Sequence, residues 1–262
     1  MTSRSQENLI AVSQTDPALA GKARQLAAQL GLPLYNPEEN TPALLLTLTS
    51  ERLELRQTTK GAEGPLCIDF LGGAIEYRRR QTTSRKEGIA RAVGLKGGAS
   101  LVVLDLTAGL GRDSFILASL GCTVRMVERS PVVASLLADG IQRASKEPTL
   151  AEIMARISLI PGDSLDILRT WQGERPDVAY IDPMYPHRSK SALVKKEMRL
   201  LRLLVGDDED SDALLAAALT VAGRRVVVKR PRLAPALAGP APNFAINGTN
   251  SRFDVYLIAP LP

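Results

Sequence analysis

The chain has 262 residues, 45% of them hydrophobic, and a formal net charge of +5. That length can bury one large core, or one core and a small extra domain. No apolar run approaches the roughly 18–20 residues that span a bilayer, and the opening Met1–Glu7 lacks a signal peptide's apolar region, so no membrane role and a cytoplasmic location are expected.

Cys67 and Cys122 lie on separate apolar segments and read as small core residues rather than a disulfide or a metal pair. His187 is the single histidine, which leaves few ligands for zinc and argues against a histidine-based triad. No metal is expected. The basic balance, with a pI near 9.4, suits a polyanionic partner.

In chain order, Asn8–Val12 reads as a strand and Pro17–Leu30 as a helix, with Pro17 in its first turn and Gly31 just past its end. Ala43–Arg56 reads as one strand or a hairpin. Leu66–Phe70 reads as a further short strand, closed by Gly72 and Gly73. These pieces make a small α+β domain over residues 1–80. The basic cluster Tyr77–Arg80, with Arg85 and Lys86, sits where the linker to a second domain, 81–262, is expected.

From Ser100 onward strand and helix alternate, which predicts a parallel sheet. Strands are expected at Leu101–Asp105, Thr123–Glu128, Ile157–Ile160, Pro176–Ile181 and Arg224–Lys229, with helices from about Arg112 to Leu120, Pro131 to Ser145 and Ser164 to Trp171. Ser191–Val205 and Asp207–Ala222 read as two more helices. The acidic run Asp207–Asp210 is the usual pattern for a helix first turn. Phe244–Ile246 and Phe253–Ile258 flank Asn247–Asn250 as an antiparallel hairpin.

Chemistry gathers at the strand ends, where open α/β sheets place their ligands. Gly109 and Gly111 open a helix after the first of these strands, so backbone amides can approach a nucleotide-type ligand. Ser114 stands where a dinucleotide fold would want a third glycine, which disfavours NAD. Glu128 ends the next strand, where an acid can accept from both ribose hydroxyls. Asp163, with Ser164, is placed either to accept from an adenine amino group or to cap the following helix. Arg112 and Asp113 face the same choice.

Asp182-Pro183-Met184-Tyr185-Pro186 closes the series. The exocyclic amino group of a base is a poor nucleophile, because its lone pair is delocalised into the ring. Asp182 and the Pro183 carbonyl supply two fixed acceptors for its hydrogens, and Tyr185 supplies a face on which the base can stack. Taken together, the four loops resemble a class I (Rossmann-like) S-adenosylmethionine (SAM)-dependent methyltransferase, an α/β fold with a seven-stranded, mostly parallel sheet.

The blocks Asp105–Asp113, Val127–Ala134, Asp182–Pro186 with Lys190–Met198, Val226–Pro231 and Asp69–Ala74 resemble the RsmJ (YhiQ) family, the bacterial 16S rRNA guanine-N2 methyltransferases. The resemblance implies SAM contacts at Arg112, Asp113, Glu128, Arg129, Asp163, Ser164 and Asp182, beside the Gly109–Gly111 turn. It also implies guanine 1516 of 16S rRNA, in the 30S subunit or free, as substrate, on which Asp182, Pro183 and Tyr185 are the expected catalytic residues. RNA contacts are expected at Lys190, Lys195, Lys196 and Arg199, which a helix would present as a basic band, and at Lys229 and Arg230. Met184 stands where the wider amino-methyltransferase pattern has a second proline. Other readings of the motif are an amino-methyltransferase of another RNA or DNA base and a non-catalytic RNA-binding assembly factor.

Overall fold

In the computed structural model, which describes residues 9–39, 41–61, 64–72, 88–96, 100–184, 200, 203–205 and 210–258, two sheets share one apolar core. The first begins with β1 (Ile10–Gln14). Asp16 accepts the Ala18 amide at 2.8 Å to start a short turn, and α1 (Ala20–Leu30) follows, stopped by Gly31 in the left-handed region at φ 64°. β2 (Leu44–Leu48) lies parallel to β1 and antiparallel to β3 (Leu53–Gln57), so Ala43–Arg56 is a hairpin. Its turn is closed by Thr49, whose hydroxyl accepts the Arg52 amide at 2.9 Å.

The strand expected at Leu66–Phe70 is reduced to a single bridge from Leu66 to Leu55. Beyond it the chain leaves the sheet and packs on the second layer. Phe70 stacks on Phe115 with ring centroids 5.2 Å apart, and Ile68 lies so close to Gly140 that a Cβ there would come 2.9 Å from the Ile68 carbonyl oxygen. The Arg143 guanidinium donates to that same carbonyl. The division expected near residue 80 falls on residues outside those described.

The second sheet follows α2 (Gly88–Val93). It alternates β4 (Val102–Asp105), α3 (Arg112–Ser119), β5 (Thr123–Glu128), α4 (Pro131–Ala144), α5 (Ala151–Met154), β6 (Ile157–Pro161), α6 (Ser164–Arg169), β7 (Val178–Ile181), α7 (Ser211–Val221), β8 (Arg225–Pro231), β9 (Phe244–Asn247) and β10 (Ser251–Leu257). The strand order is β6-β5-β4-β7-β8-β10-β9. β6 to β8 run parallel, and β10 is inserted antiparallel to β8 and β9. Val103, Leu104 and Val178 to Ile181 are all buried, as expected of parallel strands covered on both faces. The carboxyl ends of β4, β5, β6, β7 and β8 therefore open on one edge. Apart from residues 200 and 203–205, the helix expected over 191–205 lies outside the described residues.

Candidate active site

The edge is built from short, sharply turned loops. After β4 the chain turns through Gly109 and Gly111, at φ 53° and 69°, both in the left-handed region that glycine enters without strain. At Gly111 space matters as well, since a Cβ would come 2.8 Å from Leu137 Cδ2 and 3.2 Å from Phe70 Cζ. The Gly109 amide donates to Glu128 Oε2 at 2.9 Å, and the Ser130 amide to Oε1 at 2.8 Å. Glu128 is buried, and its carboxylate joins the β4 and β5 loops. Asp163 accepts the Leu165 and Asp166 amides, so it caps α6, while the Ser164 hydroxyl donates to the Leu106 carbonyl at 2.6 Å.

A second cluster lies at the ends of β7 and β8. The Asp182 amide donates to Thr107 Oγ1 at 2.6 Å. The Lys229 ammonium stands 2.7 Å from Asp182 Oδ2 and 2.7 Å from Asp113 Oδ2, and the Tyr180 hydroxyl also donates to Asp113 Oδ2 at 2.7 Å. Burial alone works against the Lys229 ammonium, but Asp182 and Asp113 outweigh it and hold its pKa above the ordinary lysine value. Burial, with Asp113 and Asp182 nearby, raises the Tyr180 hydroxyl well above its usual range, so it stays a donor. Beneath them, Asp105 accepts from the Ser114 hydroxyl and the Thr107 amide. Burial outweighs these hydrogen bonds and pushes the Asp105 carboxyl up to about 7.

Both clusters line one cavity of about 360 Å³, in the range of small-molecule sites. Gly109, Arg112, Asp113, Glu128, Arg129, Asp163, Ser164, Asp182 and Pro183 all reach it. Gly111 does not line it and acts from behind, seating the turn on Leu137 and Phe70. Six carboxylates and three cationic side chains face the space, a balance that fits a cationic ligand such as the sulfonium of SAM.

Two expectations are corrected. Lys229 points into the cavity between two carboxylates instead of toward an RNA surface. Arg230 is buried, and its guanidinium donates to the Pro235 carbonyl at 3.0 and 3.1 Å, so it braces the loop after β8. Tyr185, Lys190, Lys195, Lys196 and Arg199 lie outside the described residues.

Sequence reasoning passed over Asp105, Thr107, Tyr180 and Asp210. Asp105 and Thr107 stand inside the glycine block and could have been found there. Asp210 was read as a helix-dipole residue, yet it pairs with Arg129 at 3.3 Å beside the cavity. Among the described residues, no group of three or more His, Cys, Asp or Glu side chains could hold a metal ion, and no helix is long and apolar enough to cross a membrane.

Residues 25–258 match the family described as "Putative SAM-dependent methyltransferase". A protein of Nitrosococcus oceani named ribosomal RNA small subunit methyltransferase J is 54% identical over 238 residues, covering 90% of this chain and 93% of its own. A protein of Thioalkalivibrio sulfidiphilus with the same name is 50% identical, covering 95% and 97%. A crystal structure of a SAM-dependent methyltransferase from Neisseria gonorrhoeae superposes with a TM-score of 0.72 at 38% identity, covering 94% of this chain and 95% of that one.

Proposed function

The chain belongs to the ribosomal RNA small subunit methyltransferase J family of SAM-dependent methyltransferases, and on that premise we propose that it methylates the exocyclic N2 amino group of a guanine in 16S rRNA, in the cytoplasm. The observation that carries this reading is the position of Asp182 and Pro183, at the end of β7, on the same cavity as Glu128 and the Gly109 turn.

When bound, the donor supplies an electrophilic methyl group on a sulfonium. Glu128 would hold its ribose end, and Gly109, Arg112, Asp113, Arg129, Asp163 and Ser164, which line the same cavity, would supply the other contacts. Asp182 and the Pro183 carbonyl accept the two amino hydrogens, which draws the nitrogen towards a tetrahedral shape and aims its lone pair. Tyr185 stacks on the base, which has been taken out of its own stack. The methylated nitrogen is acidic enough to lose its proton without a dedicated strong base. The basic residues Lys190, Lys195, Lys196 and Arg199 contribute phosphate contacts.

The test is to incubate the purified protein with isotopically labelled SAM and either 30S particles or naked 16S rRNA, then to digest the RNA and identify the labelled nucleoside. N2-methylguanosine at a single position is the expected product. Label on adenine or cytosine, or none on either RNA, overturns the reading.

A further inference from the structure

Lys229 bridges two carboxylates that belong to other elements. Asp113 lies in the first turn of α3 and Asp182 follows β7, and the ammonium is 2.7 Å from each. β8 runs parallel beside β7 with Ile181 opposite Val228, which places Lys229 level with Asp182. A phosphate-binding lysine presents its donors to solvent, whereas this ammonium has its two carboxylate partners inside the donor cavity.

We propose that Lys229 is a positioning residue for methyl transfer, which fixes the Asp182 carboxylate and sets the cavity's preference between the cationic donor and its neutral demethylated product. The first half rests on the reading of Asp182 as the group that holds the base nitrogen. Asp182 sits in a loop with its side chain 39% exposed, and the Lys229 ammonium holds one of its carboxylate oxygens at 2.7 Å. The ammonium ties one oxygen to the Asp113 and Tyr180 pair, and the amino group then meets an acceptor already aimed.

The second half follows from charge. Asp113, Asp182 and Lys229 together carry one carboxylate in excess, enough to favour a sulfonium. Without the ammonium the excess doubles. A unit charge about 10 Å away, at an effective dielectric of about 20, changes a cation's affinity by somewhat over tenfold and leaves a neutral thioether almost unaffected. Such extra grip on the ground-state cation does not speed the reaction, because the sulfonium loses its charge as the methyl moves.

The experiment is calorimetric titration of the full-length protein with SAM and with S-adenosylhomocysteine, alongside single-turnover methyl transfer. Lys229→Met should raise the preference for SAM over the product by about tenfold while methyl transfer falls. Lys229→Arg should keep the parental preference and recover part of the rate. The double variant Lys229→Met with Asp113→Asn restores the charge excess, so its preference should return to parental while transfer stays slow. If Lys229→Met does not fold by circular dichroism, Lys229→Gln gives the same comparison. An unchanged preference in a folded neutral variant overturns the charge role, and a parental transfer rate overturns the positioning role. Failure of the parent to bind either ligand would instead sink the donor-site reading itself.

Discussion

Glu128 and Gly109 are joined by a 2.9 Å hydrogen bond from the glycine amide to Oε2, so the acidic end of β5 and the turn after β4 move as one piece. Glu128→Gln keeps the volume but puts an amide donor opposite one of two backbone donors, Gly109 or Ser130. Donor affinity should fall by about 1.5–3 kcal/mol, the worth of a charge-assisted hydrogen bond. Titration with S-adenosylhomocysteine measures it, and parental affinity in the folded variant would remove Glu128 from the donor site.

Asp182→Ala should weaken SAM binding by about tenfold through the lost carboxylate, leave S-adenosylhomocysteine binding within a few-fold of the parent, and slow methyl transfer at saturating SAM by about two orders of magnitude or more, on the order of a lost catalytic acceptor. The group also acts on the reacting nitrogen, so with the donor saturating its loss falls on the chemical step. Single-turnover rates on 30S particles decide the matter. A near-parental rate would reduce the Asp-Pro segment to a turn.

Gly111→Ala combines a left-handed φ of 69° with a Cβ that would sit 2.8 Å from Leu137 Cδ2. Strain of roughly 1–2 kcal/mol and overpacking of roughly 1–3 kcal/mol add, for a loss of about 2–5 kcal/mol in unfolding free energy. Gly121→Ala is the control, because at φ 100° it carries strain but has nothing within 4 Å of the added carbon. Denaturant midpoints of the two variants should differ clearly, and equal losses would show that crowding at Gly111 costs nothing.

Asp105 gives stability a pH dependence of definite sign. Its carboxyl titrates near 7 when folded, against an ordinary 3.8 when unfolded, so between these values the folded state binds the extra proton. Its contribution is therefore favourable below about pH 4, declines as the pH rises and is lost above about 7, with a ceiling of about 4 kcal/mol. Asp105→Asn removes this dependence. Urea midpoints of parent and variant from pH 5 to pH 8 should converge at the acid end and separate at the alkaline end, the variant being the more stable there. Parallel curves would show that Asp105 does not titrate in this range.

The strand ends were legible because a parallel sheet leaves a period of its own. Apolar runs such as Val178–Ile181 stop at a carboxylate, and the glycines after Asp105 mark where the backbone must turn. Lys229 was not legible in the same way. A lysine followed by an arginine at the end of an apolar strand has the same local pattern whether it faces phosphate or a buried acid, and the answer depends on Asp113, far away in sequence. Asp163 shows the limit from the other side, since capping and pocket lining ask for the same residue and it does both. At Leu66–Phe70 the β-rich composition was real, but the packing of Phe70 on Phe115 took the segment out of the sheet.

The stacking of Phe70 on Phe115 and the seat of Ile68 against Gly140 also set a timetable for synthesis. The N-terminal layer is translated first, but the helices that cover its apolar underside are complete only at Ala144. Elongation over those roughly 75 residues, at about 5–20 residues per second, takes about 4–15 seconds. During that interval Phe70 waits for Phe115 and Ile68 for Gly140, both side chains being buried in the finished protein. The emerging polypeptide therefore carries a sticky surface for seconds, which makes it a natural client for a chaperone and makes any product cut short before α3 prone to aggregate.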